Sequence, residues 1–114
     1  MSAELRAAGR GNLFTALPPP GGGEIFQTLF AGPGCRVERI VSHGHASAPG
    51  DWYDQDGDEW VVLLAGDAVL RFERGGDVAL KAGDWIAIPA HSRHRVESTS
   101  ADALWLAVHG TPSG

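Results

Sequence analysis

From Glu24 onward the chain runs in short stretches of apolar and polar residues broken by glycine, aspartate and proline. Arg36 to Ser42 sets Val37, Arg39 and Val41 against Arg36, Glu38 and Ile40, a period of two that belongs to a strand and not to a helix. Glu24 to Phe30 reads as the strand before it, with Gly32-Pro33-Gly34 as the turn between them and Gly44 to Gly50 as the loop that follows. Glu59 to Ala65 and Ala68 to Glu73 are expected to form a hairpin over Gly66-Asp67, closed below by the turn Arg74-Gly75-Gly76-Asp77. Val78 to Lys81, Trp85 to Ile88, Arg93 to Glu97 and Ala103 to His109 complete the set. No segment carries a helical stripe. Turn signals recur about every 8 to 12 residues, which predicts an all-β sandwich or barrel.

The strand from Glu59 differs from the others. After the acidic run Asp54-Gln55-Asp56-Gly57-Asp58, the residues from Trp60 to Leu64 are apolar on both parities, so this strand is expected to be covered on both faces. Glu59 takes a carboxylate into that apolar segment. A buried charge needs a cation, a proton or a ring of donors, so Glu59 is a candidate for chemistry.

Residues 1–23 hold three consecutive prolines, Pro18 to Pro20, and three glycines, Gly21 to Gly23, and read as an arm, flexible or docked through Asn12-Leu13-Phe14 on the domain or on a second subunit. The domain itself is expected over 24–114. At 114 residues the chain is one domain that can bury a core. A net charge of -5 without a basic patch argues against nucleic acid. Cys35 is the only cysteine, which excludes an internal disulfide framework and an all-thiolate zinc site and fits a reducing, cytoplasmic setting. No run approaches the roughly 20 apolar residues of a membrane span, so no membrane partner is expected.

Two motifs point to a family. The spacing Glu59, six residues, Gly66, together with Pro89-Ala90-His91-Ser92-Arg93-His94, resembles the cupins. Their motifs read His-x-His, three or four residues, Glu, six residues, Gly, and Pro-x-Gly-x-x-His. His91 stands in place of the second motif's glycine. Tyr53 and Gln55, or with the longer spacing Trp52 and Asp54, stand where two metal-binding histidines are expected. The resemblance covers about residues 36 to 109, is similar to small bacterial one-domain cupins carrying a Trp-Tyr-Asp-Gln segment, and implies a single-domain jelly-roll β-barrel. It implies Glu59 and His94 as metal ligands, with Gln55 supplying an amide oxygen as in some sugar-phosphate isomerases of the superfamily.

The histidine pair His43-Gly44-His45 ends a neighbouring strand, and His43 is taken as the fourth ligand. Such a set suits Zn, Fe, Mn or Ni without choosing among them. Tyr53, His45, Trp52 and His109 are candidates to line a substrate pocket. Asp54, Asp56 and Asp58 form a solvated acidic turn and not an EF-hand, since Ala65 stands where the loop's last glutamate belongs. Arg93 and Arg95 alternate with His94, so they are expected outside, paired with carboxylates of an adjacent strand. These features imply a pocket for a divalent metal and a small polar metabolite, with dioxygenase or isomerase chemistry. The alternatives are a non-catalytic small-molecule binding module and a dimeric structural protein with a vestigial metal site; a homodimer is expected in either case.

Overall fold

The computed structural model describes residues 8–19, 21 and 23–110. Residues 1–7, Pro20 and Gly22 of the expected arm, and 111–114 of the expected domain, lie outside the described residues. Eight strands follow in order: β1 (Ile25–Gly32), β2 (Cys35–Val41), β3 (Glu59–Ala65), β4 (Asp67–Phe72), β5 (Gly76–Lys81), β6 (Trp85–Ile88), β7 (His94–Thr99) and β8 (Leu104–Gly110). They form an all-β jelly-roll barrel of two antiparallel sheets, β1-β2-β8-β3-β6 and β5-β4-β7. Among the described residues no helix is long and apolar enough to cross a membrane.

The core lies between the sheets. Ile40, Val61, Leu63 and Trp105 from the larger sheet meet Leu70 and Val96 from the smaller one. Leu63 and Ala107 are fully buried. Inward residues follow the period of two along each strand, so Glu59 shares a face with Val61 and Leu63, and His94 shares one with Val96.

The expected hairpin over Gly66-Asp67 does not form. β3 pairs with β6 and β8, whereas β4 pairs with β5 and β7 in the other sheet. Asp67 already belongs to β4, leaving one residue where the tightest common hairpins need two. Gly66, at φ 83°, turns the chain across the barrel edge, and the Ser100 hydroxyl receives the Asp67 amide at 2.9 Å to fix the corner. The expectation that β3 is covered on both faces also fails. Its inward side is buried, but outward Trp60 is 37% exposed and lies 6.0 Å from the ring of Trp85, itself 61% exposed. Apolar residues on both parities there mark an outer face that no layer among the described residues covers.

The arm is held from outside β2. Arg39, a buried residue facing away from the core, binds Gln27 Oε1 at 2.8 Å and the carbonyls of Leu13 at 3.1 Å and Thr15 at 2.8 Å. A guanidinium offers five donors in a planar fork, which suits several carbonyls at once.

A methyl group on Gly66 would collide with the Ser100 hydroxyl and crowd the Ala103 backbone, at a φ that side chains rarely adopt. Gly66→Ala is therefore expected to destabilise the barrel by about 2 kcal/mol or more, read as a lower denaturant midpoint, while Gly50→Ala, also at positive φ but in open space, costs only the backbone strain of about 1 kcal/mol.

Candidate functional site

The two motif loops are clasped to each other. Tyr53 and His94 form an isolated antiparallel bridge, Tyr53 N donating to His94 O at 2.7 Å and His94 N to Tyr53 O at 3.2 Å. His91 N donates to Gln55 O at 2.8 Å, and Ala90 N to Asp58 Oδ1 at 2.9 Å. The His91 ring meets Asp54 Oδ1 at 2.9 Å, and the hydrogen bond to that carboxylate holds the imidazole above its usual range. The acidic turn thus anchors the second motif. His91 sits at φ 63°, the left-handed conformation that explains why the motif elsewhere carries glycine at this point.

This clasp brings Glu59, at the head of β3 in one sheet, to His94, at the head of β7 in the other. His94 Nε2 lies 3.6 Å from Glu59 Oε1, with both side chains about nine-tenths buried. His94 Nδ1 meets the Ser92 carbonyl at 2.8 Å, which assigns that nitrogen the proton and leaves Nε2 facing the carboxylate. Burial alone would lower the His94 pKa, but Glu59 and the Ser92 carbonyl outweigh it and the ring is held above its usual range. A lone pair opposite a carboxylate is repulsive, so the gap calls for a proton or a metal ion. A separation of 3.6 Å is close to the edge, about 3.4 Å, of a tetrahedron with 2.1 Å bonds.

Around this pair lies a cavity of about 60 Å³, walled by Phe26, Tyr53, Val61, Leu70 and Trp105 and carrying Glu24, Gln55, Glu59 and His94 as its polar groups. Gln55 Nε2 donates to Glu59 Oε1 at 3.3 Å. His109, the cross-strand partner of Glu59, presents Nδ1 to Gln55 Oε1 at 3.1 Å and Nε2 to Glu38 Oε1 at 2.8 Å, with Glu59 Oε2 at 3.9 Å. At the other end, Glu24 accepts from Ser42 Oγ at 2.9 Å and Tyr53 OH at 3.2 Å, and Trp105 Nε1 donates to Ser42 Oγ at 2.9 Å. Burial first, and the Glu24 charge next, push the Tyr53 pKa up to about 12.

Of the residues singled out in the sequence, Glu59, His94, Gln55 and Tyr53 meet in the cavity wall, and His109 stands directly behind Glu59. His43 does not join them. It lies in the turn after β2, at φ 37°, with Nε2 3.3 Å from the Pro18 carbonyl, so it holds the arm. His45 approaches Glu24 instead, at 3.8 Å. Trp52 is not part of the cavity lining, and its ring is engaged by the guanidinium groups of Arg93 at 5.7 Å and Arg95 at 5.3 Å. Arg93 pairs with Glu73 at 2.8 Å, as expected of an outward residue, but Arg95 pairs with Glu97 of its own strand at 3.1 Å. Among the described residues no group of three or more His, Cys, Asp or Glu side chains is disposed to hold a metal ion.

Two carboxylates escaped the sequence reading. Glu24 stands immediately before the first strand, much as Glu59 heads the third, and the same argument would have found it. Glu38 shares its parity with Ile40, and an inward Ile40 carries Glu38 inward with it.

Tyr53 is the only tyrosine, so tyrosinate absorbance reports on it alone. The folded protein is expected to titrate near 12, against about 10 in the unfolded chain. The sign follows: the folded state holds this proton more tightly, so its contribution to stability is complete below pH 10 and is lost as pH rises toward 12. Tyr53→Phe is expected to flatten that loss, and Glu24→Gln to move the midpoint down in a spectrophotometric titration.

The Cupin domain family profile matches residues 32–109. A protein from Ralstonia eutropha JMP134, solved as a putative mannose-6-phosphate isomerase, is 43% identical, with a TM-score of 0.86 over 91% of this chain and 99% of that one. An RmlC-like cupin protein from Desulfovibrio desulfuricans matches with a TM-score of 0.77 at 14% identity, over 94% of this chain and all of that one. A cupin 2 conserved barrel domain protein from Leptotrichia buccalis matches at 0.74 and 22% identity, over 89% of this chain and 47% of that one. A search of curated proteins gave no significant match. On the residues matched and on the 43% identity across nearly the whole chain, this protein belongs to the Cupin domain family.

Proposed function

We propose that the barrel binds a divalent metal ion through Glu59 and His94, and beside it a small polar metabolite. The single observation that carries this reading is the Glu59–His94 pair: a carboxylate and an imidazole nitrogen, each about nine-tenths buried, facing each other 3.6 Å apart with the imidazole oriented from behind by the Ser92 carbonyl. Metal-ligating histidines are oriented in this way. The metal would be Zn, Fe, Mn or Ni, since carboxylate and imidazole do not discriminate among them. Gln55 touches Glu59 through its amide nitrogen while its oxygen, the atom able to ligate, meets His109, so it serves as a third ligand only after the amide turns; His43 is held at Pro18 and is not a ligand. Remaining positions would fall to water and to the metabolite.

Such an ion supplies Lewis acidity toward a substrate oxygen. The chain's own residues do the rest. Tyr53 stays a neutral hydroxyl donor at physiological pH, Gln55 and His109 hold Glu59 in place, and Val61, Leu70 and Trp105 keep the wall dry. Of the two enzyme chemistries, isomerisation is the better supported, because the Ralstonia protein so named is 43% identical. A second reading, a metal-free binding module, is favoured by one observation: the described residues bring only two histidine or acidic ligands to the pair.

Metal analysis separates the two. Protein purified without chelator is expected to carry about one equivalent of transition metal, lost in Glu59→Gln and in His94→Ala, and metal at 100 times its Kd is expected to stabilise the fold by about 2.7 kcal/mol. Metal-free protein whose thermal transition ignores both zinc and chelator would establish the binding module instead.

The partner we propose for the outer face of β3 and β6 is a second copy of the chain. Trp60, Val62 and Trp85 present apolar surface there, and β6 is an open sheet edge of four residues. Light scattering is expected to give a dimer for the native chain and a monomer for Trp85→Glu; a native monomer would refute this.

A further inference from the structure

The charge of the cavity selects the ligand. Among the described residues that line it there is no lysine and no arginine, yet it holds two carboxylates, Glu59 at the metal end and Glu24 at the other. The Glu24 side chain is 6% exposed. Its hydrogen bonds come from two neutral hydroxyls, Ser42 and Tyr53, and among the described residues the only basic group near it is the His45 ring at 3.8 Å. Hydroxyl donors satisfy lone pairs but leave the charge in place, and a carboxylate held out of water without a cation costs on the order of several kcal/mol. Phe26, Tyr53 and Trp105 line the same cavity, and aromatic faces attract cations. Phe26 is half exposed, so this wall reaches the surface.

A phosphate ester meets the opposite of what it needs here. Phosphate recognition calls for arginine or lysine, or for a cluster of backbone N–H groups at a helix start, and the described barrel has no helix. A dianion would also face both carboxylates across a space of about 60 Å³.

We propose that the metabolite is a small amine carrying an oxygen function, an amino alcohol in its simplest form. Its ammonium group sits against Glu24 and the aromatic wall of Phe26, Tyr53 and Trp105. Its oxygen faces Glu59 and His94, so the assignment rests on the reading of that pair as the polar end of a ligand site. The ammonium group then meets the Glu24 charge and the neutral oxygen meets the Glu59–His94 pair, while the apolar lining residues Val61, Leu70 and Val96 accept the connecting methylene groups.

Calorimetric titration of the full chain, with 3-amino-1-propanol, 1-butanol, inorganic phosphate and a hexose 6-phosphate as probes, tests this. The amino alcohol is expected to bind saturably, the uncharged 1-butanol at least tenfold more weakly, and neither phosphate compound to bind or compete. Glu24→Gln is expected to weaken the amino alcohol at least tenfold. Should Glu24→Gln fail to fold, Phe26→Leu, at a half-exposed side chain, is expected to weaken it several-fold through loss of the aromatic face. Equal affinity for 1-butanol, competition by either phosphate compound, or an amino alcohol affinity unchanged in the variants would overturn the proposal. Metal content measured on the same preparations reports the Glu59–His94 reading separately: metal-free protein that still binds the amine through Glu24 sinks the metal and leaves the ligand assignment standing.

Discussion

The structure turns on how negative charge is kept inside a small β-barrel. Glu24, Glu38 and Glu59 carry side chains that are 6%, 12% and 10% exposed; the basic groups facing Glu24 and Glu59 are imidazoles, and Glu38 meets both the His109 ring at 2.8 Å and Arg36 at 3.4 Å. An imidazole can share a proton, lend a lone pair to a metal or act as a neutral donor, so charge in this interior is adjustable in a way that fixed arginine pairs would not allow. Apart from Arg36 at Glu38, the arginines with described partners stand elsewhere. Arg39 is spent on the carbonyls of the arm, Arg71 on Asp77, and Arg93 and Arg95 on Trp52 and outer carboxylates.

That arrangement needs the two sheets to meet at one place, and backbone hydrogen bonds secure it. The Tyr53–His94 bridge is a two-residue piece of sheet that joins the loop before β3 to the first residue of β7. Because side chains alternate along a strand, the same bridge turns Tyr53 and His94 inward while Trp52, Arg93 and Arg95 form a stack outside. The clasp carries the position of the site and the arginine stack carries part of its rigidity. Dimension and polarity follow: a cavity of about 60 Å³ with a carboxylate at each end suits a short bifunctional molecule better than a phosphorylated sugar.

Much of this was legible in the chain. Strand positions came from alternation and turn residues, and all eight strands occur within a few residues of where the pattern puts them. Glu59 and His94 were marked by chemistry, one as a charge leading an apolar run and the other by the second motif. What alternation cannot say is which sheet a strand joins. β3 and β4 are adjacent in sequence and look like a hairpin, yet a single glycine sends them into different sheets. The same limit hid the partners of the site. His43 has the right residue type and parity, but the turn after β2 swings it toward Pro18, whereas Glu24 and Glu38 reach the site through partners that lie far away in sequence. The outer apolar face of β3 was misread for a related reason, since a pattern records that a side chain is apolar and not what covers it.

A crystal grown with zinc and measured at the zinc absorption edge tests the central claim most directly, because the anomalous signal places the ion without reference to activity. The account predicts one peak inside the barrel, about 2.0 to 2.2 Å from both a Glu59 carboxylate oxygen and His94 Nε2. A zinc-saturated crystal with both side chains ordered and no peak between them, or with the two side chains turned to opposite sides of the barrel wall, would contradict it.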